Sequence, residues 1–329
     1  MQRREALAIL AGGAAAAWPL SARAQQRQPT MPVIGFLIGG AAVSYAIFVD
    51  AFKQGMSDNG MVEDRDYVLK LRFADGDYGR FPMLAAEMAQ GKPALVVATT
   101  ISAALAARRA STTIPIVMAG LIDPVGAGLI TSLARPGGNT TGLSSMAQDM
   151  SSKGLEFLQM VVPTAKTIAA LFNPANPGNR LIMEDVRTQA STRRMTILAV
   201  ELKGSAELDA TIDAAASRSP DALLVVADAT VLDLRERIAA LALRHRLPTV
   251  SSVPELTDAG VLIGYGPSRR DIYRRAANYV KKVLDGASPA SLPVEQPTLI
   301  ELSINLRTAK ALGLTIPESL LLRANKLIQ

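Results

Sequence analysis

The stretch VIGFLIGGAAVSYAIFVDAFKQGM, residues 33–56, contains the repeating unit on which the fold is built. Its first part, Val33–Ile38, is an unbroken apolar run, which is typical of a strand buried on both faces of a parallel sheet. Two glycines follow, and large apolar residues then recur at every fourth position, at Phe48, Phe52 and Met56. This is the period of one face of a helix. The stretch therefore predicts a strand, a tight turn and a helix in that order.

Similar apolar runs alternate with helical periodicity along the rest of the chain, at a spacing of roughly 20–35 residues that is typical of right-handed βαβ units. The first set of runs comprises residues 33–38, 68–73, 95–98 and 114–118, and the second comprises residues 168–172, 196–201, 222–227 and a weaker run near Thr249. Two sets in series predict an α/β fold with two doubly wound parallel-sheet lobes, joined by a hinge of several chain crossovers.

The bounds of the lobes follow from the turns between the two sets. Residues 135–139 (RPGGN) are rich in turn formers, so the strand at 140–146 is expected to enter the second lobe. A second crossing is expected at 261–265, after which the helix at 268–285 returns to the first lobe. We therefore predict an N-terminal lobe of residues 31–143 and 266–300 and a C-terminal lobe of residues 144–265 and 301–329. The cleft between such lobes is the natural ligand site.

Residues 1–24 have the pattern of a cleaved secretory signal peptide. Arg3 and Arg4 precede an apolar stretch at 6–20, and Ala22-Arg23-Ala24 forms the cleavage pattern. The stretch is short for a membrane span, and no cysteine follows it that could carry a lipid anchor. The arginine pair leaves both the Sec and the twin-arginine routes open. We expect a protein that is exported to the periplasm.

Composition excludes several classes of function. The chain has no cysteine and a single histidine, His245, which excludes disulfide scaffolds and thiolate metal sites. Removing the leader takes away Trp18, three arginines and one glutamate, so the net charge of +6 falls to +4. The remaining basic pairs are spread along helices, and no nucleic-acid-binding motif stands out. We expect no nucleic-acid partner, no metal and no cofactor.

Catalytic motifs are also missing from the sequence. Residues 142–146 read GLSSM, which departs from the nucleophile motif G-x-S-x-G because Met146 replaces the last glycine. His245 ends a helical stretch between two arginines, which suits a helix C-terminus rather than a catalytic base. We therefore expect that the protein is not an enzyme.

Polar side chains gather where the apolar runs end, and in open α/β sheets ligands bind at the carboxyl ends of the strands. The candidate ligand-binding residues in the first lobe are Gly40, Ser44, Thr100, Ser102 and Asp123. Those of the crossover and the second lobe are Ser144, Asn173, Asn176 and Asp228.

Each candidate has a structural alternative. Thr100, Ser102, Asp123 and Asp228 equally suit helix caps, and Gly40 suits a tight turn. Taken together, however, a helix start lined by Thr and Ser offers free N–H groups to a carboxylate. An opposing Asp can pair with an ammonium group. The pattern therefore favours a cleft for an amino acid zwitterion.

Motifs along nearly the whole chain resemble those of the TrpX-like ABC transporter substrate-binding proteins, which have a type I periplasmic-binding-protein fold. The matching motifs are AAWPL (16–20), ARAQQ (22–26), MPVIGFL (31–37), TTIPIV (112–117), DPV (123–125), SLARPGGNTTG (132–142), NP (173–174), ALLV (222–225), YGPS (265–268), PVEQP (293–297) and NLRTAKALGL (305–314).

The resemblance implies a monomeric receptor that captures a small solute by closing its lobes and delivers it to an ABC permease in the inner membrane. The solute class that it implies is an amino acid, aromatic ones included, or a related small carboxylate. Matched by turn position, Thr100, Ser102, Asp123, Ser144, Asn173 and Asp228 carry over as site residues. The turns at 39–42 and 99–102 depart from the family pattern, so the ligand stays open. The alternative function is a periplasmic ligand-sensing subunit that signals to a membrane receptor.

Overall fold

The computed structural model describes residues 31–329, so the predicted signal peptide at 1–24 lies outside the described residues. The strands are β1 (Val33–Ile38), β2 (Val68–Phe73), β3 (Leu95–Ala98), β4 (Ile116–Ile122), β5 (Thr140–Ser145), β6 (Thr167–Phe172), β7 (Thr196–Glu201), β8 (Ala222–Val225), β9 (Thr249–Ser251), β10 (Ile263–Pro267), β11 (Ile300–Asn305) and β12 (Lys326–Ile328). The helices are α1 (Ala42–Asp58), α2 (Phe81–Gln90), α3 (Ile101–Ala110), α4 (Ala147–Val161), α5 (Pro177–Thr192), α6 (Leu208–Ala216), α7 (Ala229–Asp233), α8 (Arg235–Arg244), α9 (Arg269–Leu284), α10 (Leu306–Leu312) and α11 (Glu318–Leu321).

The two lobes share one topology. The first sheet has the strand order β2-β1-β3-β4-β5, and all of its pairs are parallel. Within the second sheet, β7-β6-β8-β9-β10 repeats this order, again with parallel pairs. In doubly wound sheets of this order, the ligand site lies at the carboxyl ends of the strands, where the order reverses. The predicted α/β class with two lobes is confirmed.

The second sheet is not wholly parallel, which corrects one part of the prediction. β11 runs antiparallel to β10, with Ile263 opposite Ile304. The reason lies in the path of the chain. β10 ends at the cleft, the chain then forms α9 in the first lobe, and it returns to the second sheet at the cleft end. β11 must therefore start where β10 stops and run the opposite way.

The predicted bounds of the lobes cut through three strands. Ser144 and Ser145 belong to β5, which pairs with β4 in the first sheet and does not enter the second lobe as expected. Residues 266 and 267 complete β10, and residue 300 begins β11, so all three lie in the second sheet. A local contact explains why β5 stays in the first lobe. Gly142 lies so close to β4 that a Cβ atom there would lie 2.4 Å from the Met118 carbonyl oxygen.

Helix α9 packs in the first lobe, against α1, β4 and β5. The ring of Tyr273 in α9 stacks on Phe36 of β1, with 6.1 Å between the ring centroids, and lies 5.3 Å from the ring of Phe48 in α1. The chain therefore crosses between the lobes after β5, after β10 and before β11, and the first turn of α9 lies at the cleft.

Candidate functional site

The cleft between the lobes contains two adjoining cavities. Both are lined by Thr99, Gly120, Ser145, Ala147, Ala227 and Arg269. The first cavity adds the polar residues Tyr45, Tyr78, Thr100, Asn176 and Asp228 and the apolar residues Ile101, Leu121, Ile122 and Ala229. The second cavity adds a set that is mostly apolar, namely Ala119, Ser252, Val253, Pro267, Ile272 and Tyr273. Because they share six residues, the two cavities form one cleft, and the charged carboxylate of Asp228 lies at one end of it.

The carboxylate of Asp228 is the negative centre of the first cavity. It is 3% exposed and accepts four hydrogen bonds from the protein. Oδ2 accepts from the Tyr78 hydroxyl and from Nδ2 of Asn176, both at 2.8 Å. Oδ1 accepts from Nδ2 of Asn173 at 3.0 Å and from the N–H of Thr230 at 2.9 Å, as the N-cap of α7. Tyr78 belongs to the first lobe, so this network joins the two lobes.

Arg269 supplies the positive charge and lines both cavities. It is the first residue of α9, and its backbone N–H donates to Oε1 of Glu255 at 3.0 Å, which fixes the start of the helix. Burial works to lower the pKa of the Arg269 guanidinium, but the nearby oxygens of Tyr45, Tyr273 and Glu255 outweigh it and raise that pKa. The guanidinium is therefore always charged and can hold an anion in the cleft.

Three tyrosines wall the cleft as neutral phenols. Burial raises the pKa of Tyr45 to about 12. Burial, followed by the negative charge of Asp228, raises the pKa of Tyr78 well above the ordinary value. Burial likewise raises the pKa of Tyr273. The rings of Tyr45 and Tyr273 lie 6.5 Å apart, so the cleft presents aromatic surface beside its charged groups.

The start of helix α3 offers backbone donors to the first cavity. Thr100 is the N-cap, and its hydroxyl oxygen accepts from the N–H of Ala103 at 3.1 Å. The N–H groups of Ile101 and Ser102 lie ahead of the first intrahelical hydrogen bond, so they need an acceptor from outside the helix. An anion in the cavity meets this need and is also favoured by the helix dipole.

A second carboxylate, Asp233, joins the lobes outside the cavities. Its Oδ2 accepts from the N–H of Ala41 at 2.9 Å, so a residue of the second lobe caps α1, whose own N-cap residue has no capping side chain. Its Oδ1 is buried without a hydrogen-bond partner among the described residues. Burial raises the pKa of Asp233. A Cβ atom on Gly40 would lie 2.7 Å from Oδ1, so only glycine permits this approach.

Five of the nine predicted site residues lie at or beside the first cavity. Thr100, Asn176 and Asp228 line it. Asn173 lies directly behind Asp228 and holds its carboxylate. Ser102 lines neither cavity and follows Ile101, which lines the first one, in the first turn of α3. The structure brings these five together because each follows the carboxyl end of a strand.

The other four predicted residues line neither cavity. Gly40 and Ser44 lie at the start of α1, where Gly40 packs on Asp233 and Ser44 accepts from Nη1 of Arg235 at 3.4 Å. Both residues therefore contact the second lobe and do not line a cavity. Asp123 folds back on its own turn, and its Oδ1 accepts from the N–H of Gly126 at 2.8 Å.

Ser144 is the last of these four residues. Its N–H donates to the Glu295 carbonyl oxygen at 2.9 Å, and Ser145 lines the cleft instead. Neighbouring side chains of a strand point to opposite faces, so a shift of one residue exchanges the two serines.

Sequence reasoning missed the aromatic and cationic residues of the cleft. Tyr45 lies one turn inside α1, and Arg269 and Tyr273 come from a helix that starts in one lobe's crossover and packs in the other. A rule based on strand ends does not reach them. Ser252 directly follows β9, so the same rule, applied to the weak run near Thr249, would have found it.

The described residues contain no group of three or more His, Cys, Asp or Glu side chains that could hold a metal ion. Among residues 31–329, no helix has both the length and the apolar character needed to cross a membrane.

The sequence model of the family described as ABC transporter substrate binding protein matches residues 38–328. The chain belongs to this family. As an ABC transporter substrate-binding protein, it binds a solute and is not an enzyme.

Known relatives support the same assignment of this substrate-binding protein. It is 26% identical to the tyrosine-binding protein of Clostridioides difficile (strain R20291) over 263 residues, which cover 80% of this chain and 75% of that protein.

Two solved structures of similar proteins have the same fold. The first is the ABC domain in complex with L-Trp from Streptococcus pneumoniae, at 26% identity and a TM-score of 0.83, covering 91% of this chain and 100% of that one. The second is a conserved domain protein from Vibrio cholerae, at 25% identity and a TM-score of 0.85, with the same coverage. The resemblance to TrpX-like substrate-binding proteins is confirmed.

Proposed function

We propose that this substrate-binding protein captures an amino acid with an aromatic side chain in the interlobe cleft. The observation that carries the proposal is the pairing of one cation, Arg269, with one carboxylate, Asp228, in a single cavity walled by Tyr45 and Tyr78. A zwitterion has the complementary charges, and an aromatic side chain suits the remaining surface.

The head group of the ligand is assigned to the first cavity. Its carboxylate binds Arg269 and the N–H groups at the start of α3, since a guanidinium and a helix N-terminus both favour an anion. Its ammonium group lies at Asp228. Because the Asp228 carboxylate already accepts four hydrogen bonds, the ammonium group is attracted mainly by its negative charge. It then shares an Asp228 oxygen with the protein donors.

The side chain of the ligand is assigned to the second cavity, which adds Val253, Pro267, Ile272 and Tyr273. Two relatives support an aromatic ring there, because one is named a tyrosine-binding protein and the other is a complex with L-Trp. The family assignment makes a small solute the ligand class, and the cleft chemistry narrows this class to aromatic amino acids.

We also propose that the protein acts in the periplasm and delivers its ligand to an ABC permease of the inner membrane. The signal-peptide pattern of residues 1–24 supports export, and the family supports a permease as the partner. Cross-linking in isolated inner membranes, followed by mass spectrometry, tests the delivery. Capture of a permease supports transport, whereas capture of a receptor without a permease supports a sensing subunit.

The ligand is tested by calorimetric titration with L-Trp, L-Tyr and L-Phe, with tyramine and 3-(4-hydroxyphenyl)propionate as analogues that lack one charge each. The only tryptophan is Trp18, so the full chain with Trp18→Phe also allows titration by the fluorescence of L-Trp itself. We expect binding of the amino acids and a loss of about 1.5–3 kcal/mol for each analogue. Equal binding of tyramine and L-Tyr would contradict the role of Arg269.

A further inference from the structure

The hydroxyl group of Ser252 is a buried polar group that the binding site described above leaves unused. Ser252 is 3% exposed and lines the second cavity. Its Oγ has no hydrogen-bond partner among the described residues. A buried hydroxyl without a partner is costly, so its position in a ligand cavity calls for a partner on the ligand.

The Thr and Ser hydroxyl groups that the second cavity shares with the first already accept hydrogen bonds from the protein. Oγ1 of Thr99 accepts from the N–H of Gly39 at 3.1 Å, and Oγ of Ser145 accepts from the N–H of Ala147 at 3.1 Å. The side chains that the second cavity adds are otherwise apolar or aromatic. Among the Ser and Thr residues that line the second cavity, Ser252 therefore carries the buried hydroxyl that has no partner among the described residues.

The backbone around Ser252 is held firmly. The neighbouring Ser251 donates its hydroxyl to the Val225 carbonyl oxygen at 2.7 Å and accepts from the N–H of Val253 at 3.2 Å. A Cβ atom on Gly266 would lie 2.1 Å from the Ser252 carbonyl oxygen, so β10 approaches this residue as closely as glycine allows. The backbone of Ser252 is thus held in place before a ligand binds.

We infer that Ser252 is a specificity-determining residue that hydrogen-bonds a polar atom on the aromatic ring of the ligand, a phenol oxygen or an indole N–H. This inference rests on the proposed function, in which the charged head group occupies the first cavity and the ring enters the second. A ring with such an atom gives Ser252 its partner, whereas a plain phenyl ring buries the hydroxyl unpaired. The protein therefore prefers L-Tyr and L-Trp to isosteric amino acids that lack the hydrogen-bonding atom.

The test measures dissociation constants for two matched pairs, L-Tyr with L-Phe and L-Trp with 3-benzothienyl-L-alanine, in which sulfur replaces the indole N–H. The wild-type full chain is expected to bind the polar member of at least one pair about tenfold more tightly. In Ser252→Ala this ratio falls to about one, mainly because the polar ligand loses affinity.

Ser251→Ala is the matched control, since it removes the adjacent hydroxyl, which is fully used inside the protein. We expect it to lower the melting temperature and to keep the ligand ratio, whereas Ser252→Ala keeps the melting temperature of the ligand-free protein. A ratio near one in the wild type, or an unchanged ratio in Ser252→Ala, overturns the role of Ser252 and leaves the proposed function standing. A protein that binds none of the four ligands overturns both.

Discussion

Helix α7 carries a carboxylate at each end, and the two carboxylates meet the first lobe in different ways. Asp228, at its start, accepts four hydrogen bonds, one of them from Tyr78 across the cleft. Asp233, its last residue, accepts from Ala41 across the cleft and leaves its buried Oδ1 without a partner among the described residues. A buried charge is stable when its lone pairs are satisfied and costly when they are not. The hydrogen bonds to Asp228 therefore stabilise its negative charge in the cleft, whereas the charged form of Asp233 lowers the stability of the folded protein.

The largest effect is expected from Asp228→Ala, which removes the fully hydrogen-bonded carboxylate at the start of α7. Four donors lose a charged acceptor, so the free energy of unfolding should fall by about 3 kcal/mol, as measured by urea denaturation. Affinity for L-Tyr should fall by about 2–5 kcal/mol if Asp228 is the partner of the ammonium group. Asp228→Asn is the control, because it removes the charge and keeps an oxygen to cap α7. Unchanged affinity in a folded Asp228→Ala protein would restrict this residue to helix capping.

The opposite charge of the cleft gives the next largest effect. Arg269→Ala should weaken L-Tyr by about 2 kcal/mol, because the ligand carboxylate loses a charge-assisted hydrogen bond. Tyramine has no carboxylate, so its affinity should change much less in the same titration. Arg270→Ala is the matched control, since Arg270 is the exposed neighbour on the same helix. If both ligands lose the same affinity in Arg269→Ala, Arg269 shapes the cleft without binding the carboxylate.

The same two carboxylates show which parts of the fold and the site could be predicted from the sequence. The β1 to β9 strands fall within a few residues of the predicted runs, because strands buried on both faces are continuous apolar runs. β12 has only three residues, mostly exposed, so it has no such signal. Asp228 was found because it follows a strand. Asp233 and Arg269 were not, because their positions depend on how one lobe closes on the other, and no local pattern encodes that contact.

Tyr78→Phe tests the bond between the lobes and should have a smaller effect. It removes the hydroxyl that donates to Asp228 at 2.8 Å and leaves the other three donors of this carboxylate in place. The closed form should lose about 1 kcal/mol, and every ligand should lose the same amount, because all of them require closure. Titration of the variant with L-Tyr and L-Phe measures this. A change in the ratio of the two affinities would show that Tyr78 contacts the ligand ring directly.

Asp233→Asn should have the smallest effect, and its sign depends on pH. Burial raises the pKa of Asp233, so the folded protein holds a proton on this carboxyl more tightly than the unfolded chain does. The Asp233 carboxyl therefore makes its full contribution to stability below the ordinary aspartate pKa of about 4. This contribution is lost as the pH rises through the raised pKa. Asparagine does not titrate. The melting temperature of the variant relative to the wild type should thus rise between pH 4 and pH 7, by on the order of 1 °C.

Asp66→Asn is the control for this measurement, because the pKa of Asp66 is lowered whereas that of Asp233 is raised. The hydrogen bond from Arg65 lowers the pKa of Asp66, so the stability that this carboxylate contributes is present above the ordinary aspartate pKa and is lost in acid. The melting temperature of Asp66→Asn relative to the wild type should therefore stay nearly constant between pH 4 and pH 7 and rise only in more acidic solution, unlike that of Asp233→Asn. If Asp233→Asn is equally flat between pH 4 and pH 7, the unpaired oxygen of Asp233 does not destabilise the folded protein. Asp228 and Asp233 would then differ in their hydrogen bonds but not in what they contribute to the stability of the protein.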